Sequence, residues 1–260
     1  MEFLYVLTSL PVWLEGIITF AFTYSLATIA YFLSRWIISA SWFRPIQINM
    51  VQTSSVILAL LVAFLATGVW RDVSDARSFV AAEVYALKKI QTHACLLPEE
   101  GENKLYQLVD NYVRAVIDVE WEKILRGKQS AQASSALNEV MMYVKKLNPE
   151  NEQDRTAQRF LLEAINAAAS ARQDRLHISW DIITPFTWGT VYLVAFVVFL
   201  FIALAHHDKK QAQILALAMY STIAAVMFLL ILSHDQPFAH EDMLISPKRY
   251  IELTQCGNTD

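Results

Sequence analysis

The stretch that decides the fold is Met50–Leu97, MVQTSSVILALLVAFLATGVWRDVSDARSFVAAEVYALKKIQTHACLL. Its first part, Met50–Trp70, contains no Asp, Glu, Lys or Arg and is long enough for a helix that crosses about 30 Å of hydrocarbon. No glycine or proline interrupts Val69–Leu97, so the sequence predicts that this helix continues well beyond the membrane. Pro98 and Gly101 are predicted to end it.

The charged part of this helix carries an apolar stripe in which residues recur every seven positions, the spacing of a packed helix face. The two series are Val73, Val80, Leu87 and Ala94, and Ala76, Glu83, Ile90 and Leu97. Because a lone buried carboxylate is costly, we expect Glu83 to pair with Arg172 or Arg175, which lie near the end of a later helix. The pair would either only tie two helices together or also take part in gating.

Three further stretches lack charged side chains over lengths typical of membrane spans. They are Gly16–Ser34, Ile182–Ala205 and Gln211–Ser233. Together with the first stretch they would be an implausible core for a soluble chain of 260 residues. The sequence therefore predicts an all-α integral membrane protein, with spans at about 16–34, 50–70, 182–204 and 212–232.

The predicted organisation has four parts. Residues 1–70 form an N-terminal membrane pair, 71–181 a helical extramembrane domain inserted between spans two and three, 182–233 a C-terminal membrane pair, and 234–260 a tail. Within the domain, Asn148-Pro149 is predicted to cap and start a helix, because proline is favoured at the first helical position. Thr184-Pro185 is predicted to start the third span in the same way.

Composition excludes several classes of function. The formal net charge of −4 gives no electrostatic basis for nucleic-acid binding. With six glycines the chain has no glycine-rich phosphate loop and no nucleophile elbow, so neither catalytic residues nor an enzyme activity is predicted. Cys95 and Cys256 are too few for a cysteine metal site, and they either pair with each other or remain free thiols. No metal site and no cofactor is predicted.

Basic residues in the short loops set the predicted orientation. An even number of spans places both termini and the helical domain on one side of the membrane. The loops on the other side carry Arg35, Arg44, Lys209 and Lys210, whereas the first 15 residues carry no Lys or Arg. By the positive-inside rule these loops face the cytoplasm, and the helical domain lies on the periplasmic side of a bacterial inner membrane. Basic residues near the membrane on the domain side, such as Arg71, leave the opposite orientation open.

Several short motifs follow one another through residues 50–253. They are Ala63-Phe64, Trp70-Arg71, Asp75-Ala76-Arg77, Glu83, Tyr112, Glu120-Trp121, Asp235-Gln236-Pro237-Phe238 and Ser246-Pro247. In order and spacing they resemble the bacterial bestrophin-like family. The resemblance implies the plan of the bestrophins, which are oligomeric anion channels with four membrane helices per subunit and the second helix at the pore. The implied partners are the lipid bilayer, small inorganic ions such as chloride, and further copies of the chain.

If the second apolar helix lies at the axis of such an oligomer, its side chains line the ion path. The expected lining residues, a polar entrance followed by an apolar constriction, are Gln52, Ser55, Ala59, Val62, Phe64 and Ala66. Arg71, Asp72 and Asp75 would form a mouth with charges of both signs. The small side chains of this helix equally favour close packing against another helix. The competing function is a non-conducting scaffold or sensor whose helical domain binds a partner.

Overall fold

A computed structural model describes residues 11–39, 48–124, 128–179, 183–238 and 245–255. All regular structure among these residues is helical, as the sequence predicts. The chain divides into two compact units. Residues 1–71 and 182–236 form the first unit, and residues 72–181 and 237–260 form the second.

The helices are numbered in chain order. They are α1 Val12–Ile38, α2 Ile48–Ala94, α3 Glu99–Ala115, α4 Trp121–Ile124, α5 Ala131–Lys145, α6 Glu152–Ile178, α7 Pro185–Ala205, α8 Lys210–His234 and α9 Lys248–Gln255. A single π-helical turn, Val116–Glu120, joins α3 to α4.

Helices α1, α2, α7 and α8 are each long and apolar enough to cross a membrane, as the four uncharged stretches predict. Helix α1 extends past its predicted span at both ends and includes Glu15 and Arg35. The predicted start of α7 is confirmed. Thr184 Oγ1 accepts a hydrogen bond from the Thr187 amide at 3.3 Å, and Pro185 occupies the first helical position.

Helix α2 is the long continuous helix that the sequence predicts, with 47 residues from Ile48 to Ala94. It ends shortly before Leu97, whose amide bonds to the Ala94 carbonyl at 2.9 Å in a tight turn. Pro98 accounts for this end, because the residue before a proline is disfavoured in helical conformation. The prediction that Gly101 also ends the helix is wrong, since Gly101 lies within α3.

The first unit is built on the mutual packing of three membrane helices. Helix α1 packs against α7 and α8, and α7 packs against α8. Ala195 and Phe228 have no exposed surface in the core between them. Gln213 Nε2 donates to Ser34 Oγ at 3.1 Å and to the Ala203 carbonyl at 2.7 Å, so one buried amide ties the ends of all three helices together.

The second unit buries the seven-residue stripe of α2. Its buried members are Val73, Ala76, Val80, Glu83, Leu87, Ile90 and Ala94, and Leu97 alone in the two series is only half-buried. Helices α3, α5 and α6 supply most of the remaining core. The C-terminal segment, predicted as a separate tail, also belongs to this core, because Phe238, Ile245 and Tyr250 are buried in it. Cys95 is exposed, and Cys256 lies outside the described residues.

Helix α6 begins at Glu152, later than the start predicted from Asn148 and Pro149. The cap is Asn151, whose Oδ1 accepts a hydrogen bond from the Asp154 amide at 2.8 Å. The predicted cap is therefore wrong. A proline fits the first turn of a helix but satisfies none of its free amides, whereas the Asn151 side chain satisfies one.

Replacing Asn151 by alanine should lower the free energy of unfolding by about 1 kcal/mol, because the Asp154 amide loses its acceptor. Thermal unfolding in detergent, followed by circular dichroism, measures the change. The matched control is Asn148→Ala, which removes the same side chain from a position outside the helix and should leave the midpoint unchanged. A larger loss in Asn148→Ala would place the cap where the sequence alone suggested it.

Candidate functional site

Among the four apolar helices, α2 is the least covered by the rest of the chain. In its most apolar 18-residue window 6% of the residues are buried, compared with 22% for α1, 33% for α8 and 44% for α7. In lipid, apolar side chains gain little from contact with protein, so helices associate through close packing and polar contacts instead. Among the residues that the structure describes, most of the apolar part of α2 is therefore left uncovered.

Four of the six predicted pore-lining residues face a groove within the same subunit. Ser55, Ala59, Val62 and Ala66 line one wall of this groove, and side chains of α7 and α8 line the other. The groove has a volume of about 520 Å³ and walls that are almost entirely apolar. These four side chains therefore face α7 and α8 across an open groove.

Phe64 lies on the opposite side of α2. Residues rotate by about 100° along an α-helix, which places Phe64 about 160° from Val62. Its side chain is 67% exposed, and Ile57, two turns earlier on the same side, is 56% exposed. Gln52 is also exposed, but it falls on the groove side of the helix. The six predicted residues therefore do not share one face, and a straight helix cannot direct all of them towards one axis.

The predicted mouth residues follow Phe64 along α2. By helical periodicity Arg71 and Asp75 each lie within about 20° of the direction of Phe64, whereas Asp72 lies about 80° to one side. Arg71 is exposed, Asp72 and Asp75 are half-buried, and each of the three takes part in at least one polar interaction. Along α2, Phe64 is thus followed on the same side by one arginine and one aspartate.

A buried cluster of charged side chains lies in the second unit. It contains two carboxylates, from Glu83 of α2 and Glu120 of the π turn, and two guanidinium groups, from Arg172 and Arg175 of α6. Arg172 is 11% exposed, and the other three side chains have no exposed surface. With two charges of each sign the cluster is neutral overall, and pairing of this kind is what allows charges to be buried.

Arg175 occupies the centre of the cluster. Its Nε donates to Glu83 Oε2 at 2.7 Å, and its Nη2 donates to Glu120 Oε1 at 2.8 Å and to Glu83 Oε1 at 3.3 Å. Tyr112 OH donates to Glu83 Oε1 at 2.6 Å. Of the two partners that the sequence offers for Glu83, the structure selects Arg175, and this contact joins α2 to α6.

Arg172 binds the other carboxylate. Its Nε and Nη2 donate to the two oxygens of Glu120 at 3.1 Å and 2.5 Å, which is a bidentate pair. Its Nη2 also donates to Ser134 Oγ of α5 at 2.9 Å. Glu120 therefore connects both arginines, and the cluster joins α2, α5, α6 and the π turn.

Glu120 is a partner that the sequence analysis missed, although helical periodicity points to it. At 100° per residue, a regular helix would place Glu120 within about 20° of the directions of Val109 and Val113, which are both buried on α3. The π-helical turn Val116–Glu120 lies just before Trp121 and changes the direction of the residues that follow, a feature frequent at functional sites.

Aromatic side chains enclose the centre of the cluster. Arg175 Cζ lies 5.8 Å from the ring centroids of both Trp121 and Tyr250, within the range of cation–π attraction. Trp121 also packs edge-to-face on Phe238 and Tyr250, with centroids 5.5 Å and 6.0 Å apart. Because Phe238 and Tyr250 belong to the C-terminal segment, that segment forms part of the wall around the ion pairs.

The electrostatics of the cluster favour its ionised form. Burial raises the pKa of Glu120, but the hydrogen bonds and charges of Arg172 and Arg175 outweigh burial and hold that pKa below its usual value. Burial likewise lowers the pKa of Arg175, but the Glu83 carboxylate outweighs it, so the pKa of Arg175 lies well above its ordinary value. Burial and then Glu83 raise the pKa of Tyr112 well above 10.0, which keeps its phenol protonated as a donor.

Acid should weaken the second unit through Glu120. The pKa of this carboxyl is lower in the folded chain than its ordinary value of 4.5, so its contribution to stability is complete at neutral pH and is lost as the pH falls through the folded value. We expect the thermal midpoint to fall steeply below about pH 4. Glu120→Gln should remove part of this acid slope, and the exposed control Glu139→Gln should retain it. An unchanged slope in Glu120→Gln would contradict this assignment.

Comparisons with known proteins agree with this architecture. The family model of the Bestrophin-like domain matches residues 43–248. Two crystal structures of variants of a bacterial bestrophin homologue from Klebsiella pneumoniae are similar to this chain, with TM-scores of 0.66 and 0.69. Sequence identity is 12% and 11%, and the alignments cover 93% and 94% of this chain and 98% and 100% of those chains. No curated protein matches the chain.

Four apolar helices able to span a membrane, together with a helical unit closed by buried ion pairs, define a membrane protein with a bestrophin-like fold. The family match extends over far more than half of the 260 residues. The chain belongs to the Bestrophin-like family. At the identities found, the similarity to the solved structures shows the fold alone.

Proposed function

We propose that the chain is a subunit of a homo-oligomeric ion channel that passes small anions such as chloride. The Phe64 face of α2 lines the ion path, and Ser55, Ala59, Val62 and Ala66 pack towards α7 and α8 of the same subunit. The observation that carries the proposal is the low coverage of α2, of which 6% is buried in its most apolar window. Family membership gives independent support, because bestrophins form anion channels as oligomers.

An oligomer is required because four helices of one subunit do not enclose a water-filled path. Copies of the chain arranged around a closed symmetry axis would each present the same face of α2 to that axis. A ring of Phe64 side chains, 67% exposed in the single subunit, then forms an apolar constriction. Such a constriction controls ion flow through dewetting and not through a charged ring.

The membrane arrangement is part of the proposal. The second unit is an extramembrane domain that the chain inserts between the second and third spans, on the periplasmic side of a bacterial inner membrane. The basic residues at the ends of α1 and α8 support this orientation, since Arg35, Lys209 and Lys210 then lie on the cytoplasmic side.

The preference for anions rests on family membership, because the mouth carries both signs of charge, with Asp72 and Asp75 beside Arg71. Arg71 is exposed and follows Phe64 on the same side of α2, so it is the group at this mouth that can attract chloride. Arg71→Gln should therefore reduce chloride permeability relative to that of potassium.

The function is tested with the purified protein in liposomes. Vesicles loaded with potassium chloride are diluted into a solution of an impermeant salt, and chloride efflux is followed with an ion-selective electrode. Valinomycin is added so that potassium can leave with chloride and keep each vesicle electrically neutral. Chloride efflux that depends on both the protein and valinomycin supports an anion channel, because a pore that passed potassium itself would not need the ionophore. Vesicles that contain a stable oligomer yet release neither ion would favour the scaffold or sensor function and would overturn the channel proposal.

A further inference from the structure

A second groove in the first unit lies between α1 and α8, on residues that the proposed ion path does not use. Its volume is about 510 Å³, and its walls are mainly apolar. Its lining includes Tyr24, Tyr31 and Phe32 of α1 and Lys210, Ala218 and Ser221 of α8. The groove is open on one side, towards the environment that surrounds α1 and α8 in a membrane.

The length of the groove matches one leaflet of a bilayer. Its lining on α8 extends from Lys210 to Ser221, about 16 Å along an α-helix, and half of a hydrocarbon core is about 15 Å thick. Its inner end is closed by a contact between the two helices, in which Tyr24 OH and Thr222 Oγ1 share a hydrogen bond of 2.7 Å. The groove therefore begins at the end of the span and stops near the middle of the membrane.

The outer end of the groove is basic. Lys210, the first residue of α8, lines the groove and is exposed, and no carboxylate among the described residues pairs with it. Lys209 precedes it, and Arg35 lies in the last turn of α1 at the same end, since Ser34 bonds to Gln213 of α8. The positively charged side chains thus lie at the depth of the lipid headgroups, at the outer end of the apolar groove.

We propose that this groove binds one acyl chain of an anionic phospholipid from the leaflet on the side of the two short loops, with the headgroup phosphate held by Lys210. The apolar walls accept the chain, and the ammonium group complements the phosphate charge. The proposal requires that α1 and α8 cross the bilayer, but it does not require ion conduction. It can therefore be tested with proteins that carry no current.

The first test uses native mass spectrometry of the full-length protein in detergent, titrated with phosphatidylglycerol or with phosphatidylcholine of the same acyl chains. We expect the wild-type protein to retain phosphatidylglycerol more strongly. Lys210→Gln should weaken its retention about fivefold, which corresponds to about 1 kcal/mol for one basic residue at an anionic surface. The retention of phosphatidylcholine should fall less, because its choline group balances the charge of the phosphate. Lys248→Gln, an exposed lysine of the second unit, is the matched control and should behave as wild type.

The second test fills the groove. Ala218→Phe should reduce the retention of both lipids, because the added ring occupies the space of the acyl chain. Met219→Phe, at an adjacent exposed position that does not line the groove, should have no effect. Equal retention of the two lipids by wild type, or unchanged retention in Lys210→Gln, would overturn the proposal. A smaller oligomer in Ala218→Phe with unchanged lipid retention would also overturn it, by assigning the groove to a second copy of the chain.

Discussion

Arg175→Met should lower the free energy of unfolding by about 3–5 kcal/mol, the largest loss of stability that we expect from a single substitution in this chain. Methionine keeps much of the apolar volume of arginine but removes the positive charge beside the Glu83 carboxylate. That carboxylate has no exposed surface. Its remaining hydrogen-bond donor is the neutral hydroxyl of Tyr112. Glu120 keeps Arg172 but loses the 2.8 Å bond from Arg175. Chemical unfolding in a mild detergent, followed by circular dichroism, measures the loss.

The matched control is Arg155→Met on the same helix. Arg155 also forms an ion pair, at 2.7 Å to Glu152, but the two side chains are 63% and 85% exposed. Its loss should therefore change stability by about 0–1 kcal/mol. If Arg175→Met and Arg155→Met lost equal amounts of unfolding free energy, burial would not account for the effect of Arg175.

A double substitution separates charge from packing in the same cluster. When Glu83→Gln accompanies Arg175→Met, the uncompensated carboxylate is removed together with its partner. The double variant should therefore be more stable than the sum of the two single losses predicts. Strict additivity would show that the two side chains do not act as a pair. If the folded Glu83→Gln variant conducts as wild type does, the pair ties the helices together and has no part in gating.

Phe64→Ala should increase ion flux through the reconstituted protein by about tenfold, equivalent to a barrier lower by about 1.4 kcal/mol. The side chain is 67% exposed in the subunit and, at the proposed axis, forms the narrowest apolar ring. A methyl group in place of each ring leaves a wider constriction that stays wet more often. Efflux from liposomes at equal protein density measures the change.

Phe186→Ala controls for this substitution. Phe186 is 84% exposed on α7, so the same change is made on another helix of the same unit, away from the proposed path. Its flux should equal that of wild type. An equal rise in both variants would indicate a general leak, and unchanged flux in Phe64→Ala would remove Phe64 from the ion path.

The sequence predicts well those features that depend on periodicity and on burial of charge. Uncharged stretches of sufficient length reveal the four apolar helices, and the seven-residue stripe of α2 identifies the face that the second unit buries. Glu83 within that stripe demands a cationic partner, so periodicity and charge alone reduce the choice to two candidates, Arg172 and Arg175.

Features that depend on local geometry or on distant segments are not accessible in this way. Asn151 and Asn148 are equally good caps by residue type, and only the backbone shows which of them accepts the amide bond. The enclosure of Arg175 requires Tyr250 from the end of the chain, which no local pattern connects with it. Four of the six predicted pore-lining residues face the groove, and Phe64 faces away from it. This depends on which side of α2 is turned towards α7 and α8. The small residues of α2 do not by themselves reveal that side.

The central claim is that the Phe64 face of α2 borders the ion path, and thiol accessibility tests it most directly. Phe64→Cys and Leu193→Cys are made in a protein whose two native cysteines are replaced by serine; Leu193, on α7, is 62% exposed and serves as the lipid-facing control. Currents are recorded in planar bilayers before and after a water-soluble methanethiosulfonate reagent is added. We predict that the reagent blocks the current through Phe64→Cys and leaves that through Leu193→Cys unchanged. A current through Phe64→Cys that the reagent does not alter would contradict the account.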